Sequence, residues 1–218
     1  MAALRTDLGK GFPDNQVINI VAFGHSVPAG YGDTPVVHKV DAYPRIIEDG
    51  LAAAYPTAVF NVITSAVGGS NSTAGLLRLQ RGVLDLHPRA VMVDFGVNDL
   101  VIPLETAKSN LTNIIGEVRA AGACPVLVTP TWYVGADEPE KSKGLADQVA
   151  MIRRLGSDLD VPVADAFKAF SAYAGDKKDL METSNHPNRK GHEVIAGEVL
   201  PLFIATGQPG RAVRDIRR

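Results

Sequence analysis

The sequence predicts a three-layer α/β/α domain on a five-stranded parallel sheet, with the flavodoxin-like strand order 2-1-3-4-5. Three observations carry this reading. Short apolar runs rich in β-branched residues recur along the chain, as buried parallel strands do. Stretches with apolar residues at helical spacing lie between them. The loops that follow the runs are rich in Gly, Asn, Ser and Pro, which suits strand-to-helix turns with right-handed crossovers. A chain of 218 residues fits one domain over 1–218, with a core at about 15–206 and short tails at both ends.

Val17–Phe23 is the first strand, and its apolar run ends on Gly24-His25-Ser26. Ala42–Tyr55 carries Ile46, Ile47 and Leu51 on one helical face. Ala58–Ile63 is a second β-branched run, and the turn Gly68-Gly69-Ser70-Asn71-Ser72-Thr73 leads into a helix over Thr73–Leu86. Ala90–Phe95 is the third strand, closed by Gly96-Val97-Asn98-Asp99. The next helix shows the clearest stripe, with Ala107, Leu111, Ile114, Ile115 and Val118 in register and Gly122 placed to end it. Pro125–Thr129 is the fourth strand, followed by a polar loop, Pro130–Glu140, that contains Trp132 and Tyr133. Leu145, Val149 and Ile152 mark a further helix, and Val161–Ala164 a short fifth strand. A weakly patterned stretch runs from Asp165 to Leu180. The last helix spans Arg189 to about Ala205, with Asn188 as N-cap and a kink expected at Pro201.

Composition narrows the function. The formal charge of -2 argues against a nucleic-acid surface, which needs a concentrated positive field. The arginine-rich end, Arg211–Arg218, reads as a solvated tail. No segment approaches the ~18 consecutive apolar residues of a membrane span, and Met1–Phe12 lacks the apolar centre of a signal peptide. The compartment stays open between the cytoplasm and export with a signal already removed. The lone Cys124 cannot form an internal disulfide and reads as core packing. Oligomeric state leaves no mark in the sequence.

Four residues fall where a parallel sheet collects its chemistry, at the carboxyl ends of strands. They are Ser26 after the first strand, Gly69 after the second, Asn98 after the third and His186 ahead of the last helix. A serine hydroxyl needs a base to take its proton, and a neutral imidazole suits that task near pH 7. A glycine N–H and an asparagine amide can stabilise the oxyanion that follows. Singly, each has a plainer explanation: Ser26 as a helix cap, His186 as a capping histidine, Gly68-Gly69 as a turn.

Together they form separated blocks: Phe23-Gly24-His25-Ser26-Val27-Pro28-Ala29-Gly30-Tyr31-Gly32, Ala66-Val67-Gly68-Gly69-Ser70-Asn71-Ser72, Phe95-Gly96-Val97-Asn98-Asp99 and Asn185-His186-Pro187-Asn188-Arg189-Lys190-Gly191-His192. In this the chain resembles the SGNH/GDSL superfamily of serine esterases and lipases, in order from about Val17 to Ala205. The resemblance implies Ser26 as nucleophile and His186 as general base and acid. It also implies Ser26 N–H, Gly69 N–H and the Asn98 amide as oxyanion donors, with no cofactor and no metal. The implied reaction is hydrolysis of a small-molecule ester through an acyl-enzyme. A carbohydrate O-acetyl esterase or a broad short-chain esterase is expected, with no nucleic-acid or membrane partner.

Two departures stand out. His25 occupies the place where the family carries Asp, which bears on local hydrogen bonding. Thr183 occupies the family's triad-acid position, three residues before His186, and cannot carry charge. Glu182 is the candidate to orient the imidazole instead, ahead of Asp165 and Asp179, with a backbone carbonyl as the alternative. Trp132 and Tyr133 are candidate substrate-stacking residues, with packing of the loop as the alternative. Asp99 is expected to brace the Asn98 loop, and His192 to be structural. His186 and His192 lie six apart, which is not a helical metal-ligand pair. Thioesterase or lysophospholipase activity at the same site, or a non-catalytic ester- or glycan-binding relative, are the competing readings. A nucleotide-binding sheet is disfavoured because the first loop lacks Gly-x-Gly-x-x-Gly and a P-loop ending. A phosphoacceptor domain using Asp94 would want acidic residues where His25 and Ser26 stand.

Overall fold

The computed structural model of the chain describes residues 1–205; the basic stretch 211–218, expected as a tail, lies outside the described residues. The strands are β1 (Val17–Gly24), β2 (Val59–Ala66), β3 (Pro88–Asp94), β4 (Cys124–Val128) and β5 (Val163–Ala164). They form one sheet in the order β2-β1-β3-β4-β5, with every pairing parallel. This is the expected α/β order. In a parallel sheet all carboxyl ends share one edge, so the loops after β1, β2, β3 and β4 converge there.

The period-2 geometry of strands sorts the apolar residues between two faces. Ile18, Ile20 and Ala22 of β1 join Ala90 and Met92 of β3 and Val126 and Val128 of β4 on one side. Helices α1 (Ala2–Leu8), α3 (Tyr43–Ala54), α7 (Ala166–Ser171) and α8 (Arg189–Phe203) cover that face with Leu8, Ile47, Phe170 and Phe203. Val21 and Phe23 of β1 point the other way with Val91, Val93 and Leu127. That face is covered by α4 (Ser72–Gly82) and α5 (Leu104–Ala120). Helix α6 (Pro139–Asp158) feeds both cores, the first through Leu145 and Val149 and the second through Met151, Ile152 and Leu155. The remaining helix, α2 (Ser26–Ala29), is a single turn after β1.

Caps follow the chemistry of their residues. Asn71 caps α4 by accepting from Ala74 N–H, and Asn188 caps α8 by accepting from Gly191 N–H. Gly122 ends α5 in the left-handed region at φ 77, where a side chain would be strained, while Ala123 N–H returns to Val118 O at 3.0 Å.

Five features differ from the sequence reading. The expected helix over Thr73–Leu86 breaks at Val83 into α4 and a 3₁₀ turn, Leu84–Leu86. The expected fifth strand shortens to Val163–Ala164, and the loop before α6 ends at Glu138, with the helix starting at Pro139. Residues Ala166–Ser171, in the weakly patterned stretch, form α7 behind the Asp165 cap. The N-terminal segment, expected as a tail, forms α1 and buries Leu4 and Leu8, so the core begins before residue 15. Arg5 of α1 reaches Leu202 O at 2.8 Å, tying the helix to the end of α8. Among the described residues no helix is long and apolar enough to cross a membrane.

Candidate active site

Ser26 begins α2 directly after β1, and its side chain is almost completely covered. His186 precedes α8 from the other end of the chain. The two meet: Ser26 Oγ lies 3.0 Å from His186 Nε2. On the other side of the ring, Nδ1 is 2.8 Å from the Gly32 carbonyl oxygen. A carbonyl can only accept, so the proton sits on Nδ1 and the Nε2 lone pair faces the serine hydroxyl.

This corrects the expectation for Glu182, since the atom against Nδ1 is the Gly32 carbonyl. The Glu182 carboxylate turns instead to Asp33 N–H at 3.1 Å and to His38 Nε2 at 3.1 Å. The Asp33 N–H, more than any other contact, holds its acid below the usual carboxylate range, with His38 and His186 adding to the effect against some loss of hydration. Thr183, at the family's acid position, accepts from the His186 backbone N–H through Oγ1 at 3.1 Å. Asp165 is engaged elsewhere, with Arg153 and Thr129. The Asp179 carbonyl accepts from Asn188 in the cap of α8.

The serine is held from below by a buried polar chain. Val27 N–H donates to His25 Nδ1 at 3.3 Å, so this imidazole caps the turn that carries the serine. The same nitrogen lies 3.4 Å from Ser26 Oγ. His25 Nε2 is 3.3 Å from Asp94 Oδ1, off the line of a well-aligned hydrogen bond. Asp94 Oδ2 accepts from the Tyr43 hydroxyl at 3.2 Å, and Tyr43 N–H donates to His192 Nδ1 at 3.3 Å. Burial, followed by the neighbouring Asp94, pushes the Tyr43 phenol well above its ordinary range. Burial likewise drives His192 down to about 4, which keeps its imidazole neutral and structural, as expected. A second carboxylate at position 25 would face Asp94 at close range in the same dry site. That repulsion gives a physical reason for histidine there.

Of the expected oxyanion donors, Gly69 follows β2 and Asn98 follows β3, at the same edge of the sheet as Ser26 after β1. Gly69 has φ 73 and nothing within 4 Å of the place a Cβ would occupy. Among the described residues no group accepts from the N–H of Ser26 or of Gly69. One amide hydrogen of Asn98 goes to Ser70 O at 3.0 Å, which orients the side chain and leaves its second hydrogen. Asp99 braces this corner by accepting from Ser72 N–H at 2.6 Å. Its other oxygen is buried without a partner, and burial raises its acid above the usual range.

Trp132 does not present a stacking face. Its side chain is 5% exposed and its indole N–H donates to Asp137 Oδ2 at 3.1 Å, with Lys177 over the ring. A large aromatic after β4 gains more from the core than from an open cleft. Tyr133 is half-buried and packs at the edge of the same core. Sequence reasoning missed the aromatic that does flank the site, Tyr31. Its ring is 6.0 Å from that of His186 and lies against Gly68. The block Gly30-Tyr31-Gly32 just after the serine was the available signal. Arg78 was also missed: it ties the end of β1 through Gly24 O at 2.7 Å and stacks over Phe23 at 4.4 Å.

Comparison with known proteins places the chain in a family. Residues 22–194 match the GDSL-like lipase/acylhydrolase family. The thioesterase 1/protease 1/lysophospholipase L1 of Escherichia coli strain K12 is 27% identical, the match covering 81% of this chain and 79% of that protein. The crystal structure of the lipase/acylhydrolase from Enterococcus faecalis superposes with a TM-score of 0.75 at 27% identity, over 85% of this chain and 95% of that one. An acetylxylan esterase from Geobacillus stearothermophilus shares the fold, with a TM-score of 0.75 at 16% identity over 92% of this chain and 99% of its own. A family match across most of the chain, joined to a serine and an imidazole in contact at the carboxyl edge of the sheet, has one reading: the chain belongs to the GDSL-like lipase/acylhydrolase family and is a carboxylic ester hydrolase.

Proposed function

We propose that this protein is a serine esterase that hydrolyses short-chain carboxylic esters through an acyl-enzyme. The observation that carries the reading is the 3.0 Å contact between Ser26 Oγ and His186 Nε2, with the ring's tautomer held by Gly32 O. Ser26 attacks the ester carbonyl while His186 Nε2 takes its proton. The N–H groups of Ser26 and Gly69 and the free amide hydrogen of Asn98 receive the oxyanion. His186 then returns the proton to the leaving alcohol, and water repeats the cycle against the acyl-serine. The alcohol side of the substrate lies against Tyr31, an aromatic face suited to a sugar or a small aryl group.

A carbohydrate O-acetyl ester, or a broad range of short acyl esters, is the substrate class we favour. The second reading is a thioester or lysophospholipid substrate on the same residues, favoured by the name of the Escherichia coli relative. A panel of p-nitrophenyl acetate, acetylated xylose, an acyl-CoA and a lysophospholipid separates the two. The expected ranking puts the acetyl esters first by kcat/KM. Ser26→Ala is expected to lower kcat by about 10⁴-fold or more, as loss of a nucleophile does elsewhere. Undiminished turnover in Ser26→Ala overturns the proposal.

A further inference from the structure

The carbonyl that holds His186 and the N–H that holds Glu182 belong to one peptide group. Gly32 O accepts from His186 Nδ1–H at 2.8 Å, and Asp33 N–H donates to Glu182 Oε1 at 3.1 Å. In a trans peptide these two groups point in opposite directions from one rigid plane, so the imidazole and the carboxylate flank it. We propose that Glu182 is a positioning residue that acts on His186 through the Gly32–Asp33 peptide, in place of the carboxylate that would otherwise touch the ring. The inference rests on the serine esterase reading above.

Three further observations support it. A Cβ at Gly32 would overlap the Glu182 carboxylate, so glycine is what lets the acid lie against this peptide. The segment carrying Glu182 is tied to the base as well, since Glu182 N–H donates to His186 O at 2.9 Å. His38 Nε2 meets the same carboxylate oxygen at 3.1 Å, fixing it from the solvent side. An anion on the N–H of a peptide makes its carbonyl a stronger acceptor, because hydrogen bonds in series polarise one another. The proton on Nδ1 stays where it is throughout. When Nε2 takes the serine proton, the strengthened carbonyl and the carboxylate beyond it stabilise the imidazolium.

The charged and titratable groups around the ring are Glu182 and His38 on the solvent side, Tyr31 beside it, His192 on α8, and His25 on the far side of the Ser26 hydroxyl. The Glu182 side chain is 31% exposed, so water screens part of its effect. The expected loss is therefore far below that of removing an acid in direct contact. Glu182→Gln should lower kcat roughly tenfold with KM changed by less than about twofold. Since an anion favours the protonated ring, the acid limb of the kcat/KM profile should move to lower pH by about half a unit.

Gly32→Ala keeps the charge but displaces it, and should lower kcat by a similar factor. Combined with Glu182→Gln it should cost no more than either change alone, because both break the same link. Steady-state kinetics across pH on the full chain, with melting temperatures alongside, test this. A wild-type acid limb in Glu182→Gln overturns the inference, whether kcat stays or falls, because a purely structural role leaves that limb in place. If Glu182→Gln does not fold, additive losses between Gly32→Ala and His38→Gln, which loosens the same carboxylate, overturn it instead. Ser26→Ala keeps the two levels apart. An inactive serine variant with a normal Glu182→Gln sinks only the peptide link, whereas an active one sinks the esterase reading itself.

Discussion

The two halves of the candidate dyad are held in opposite ways. Ser26 stands on a chain of buried groups, His25, Asp94, Tyr43 and His192, each nearly inaccessible to water. His186 is itself covered, and the buried Gly32 O that orients it is backed by a more exposed strap of Glu182, His38 and the Thr183 hydroxyl. Buried polar groups depend on every partner, since losing one leaves another desolvated and unpaired. Exposed ones can turn to water. Changes behind the serine should therefore disturb folding and catalysis together, while changes behind the histidine should disturb catalysis with little effect on folding.

The largest effect should come from the deep end of the buried chain, as pH dependence of stability. Folding holds His192 at about 4 against an ordinary value of 6.5, so between those limits the unfolded state binds the extra proton. Stability then falls as pH drops through that window and levels off below about 4. At about 1.4 kcal/mol per unit the ceiling is roughly 3 kcal/mol. His192→Asn keeps an acceptor near Tyr43 N–H and removes the titration. Urea melts at intervals from neutral pH downward should show a shallower loss for the variant, and parallel curves would argue against a buried neutral imidazole.

Next in size is the contact nearest the serine. Asparagine at position 25 sets its Oδ1 close to where Nδ1 now receives Val27 N–H, whereas glutamine places its amide nearer the Nε2 position facing Asp94. If the cap is what positions Ser26, His25→Asn should keep kcat within about threefold. His25→Gln should lose about thirtyfold, in line with a lost cap and a nucleophile out of place. The reverse order would shift the role to the Asp94 contact.

The same contrast explains what could be read from the chain alone. Strand order and the meeting of Ser26 with His186 were legible because side-chain type and local pattern both announce them. A backbone carbonyl stood as the alternative orienting group, but which one was not legible, because a carbonyl has no signature and Gly32 marks it only through the side chain it lacks. For Trp132 the sequence left packing and stacking both open, because its position after β4 places the loop and says nothing of whether the ring faces in or out. Helix α1 escaped notice since its seven residues have no side-chain cap and depend on burying Leu4 and Leu8 against the core. Tertiary burial decides such cases, and short-range pattern does not carry it.

The smallest effect belongs to the strap, and it bears on the family's missing acid. Thr183 stands where a carboxylate is expected, yet its Oγ1 takes the His186 backbone N–H at 3.1 Å. The residue is half-buried, so in Thr183→Val water can replace the lost acceptor and the cost should stay below about 1 kcal/mol. We expect roughly a threefold fall in kcat and an almost unchanged melting temperature. Thr183→Asp sharpens the point. If the aspartate swings to Nδ1 it must displace Gly32 O, and kcat should then lose its dependence on Glu182. If it stays on the backbone N–H, Glu182→Gln should cost the same in either background. Measuring that pair of ratios decides whether position 183 still retains the geometry of an acid site or has become only a brace for the loop.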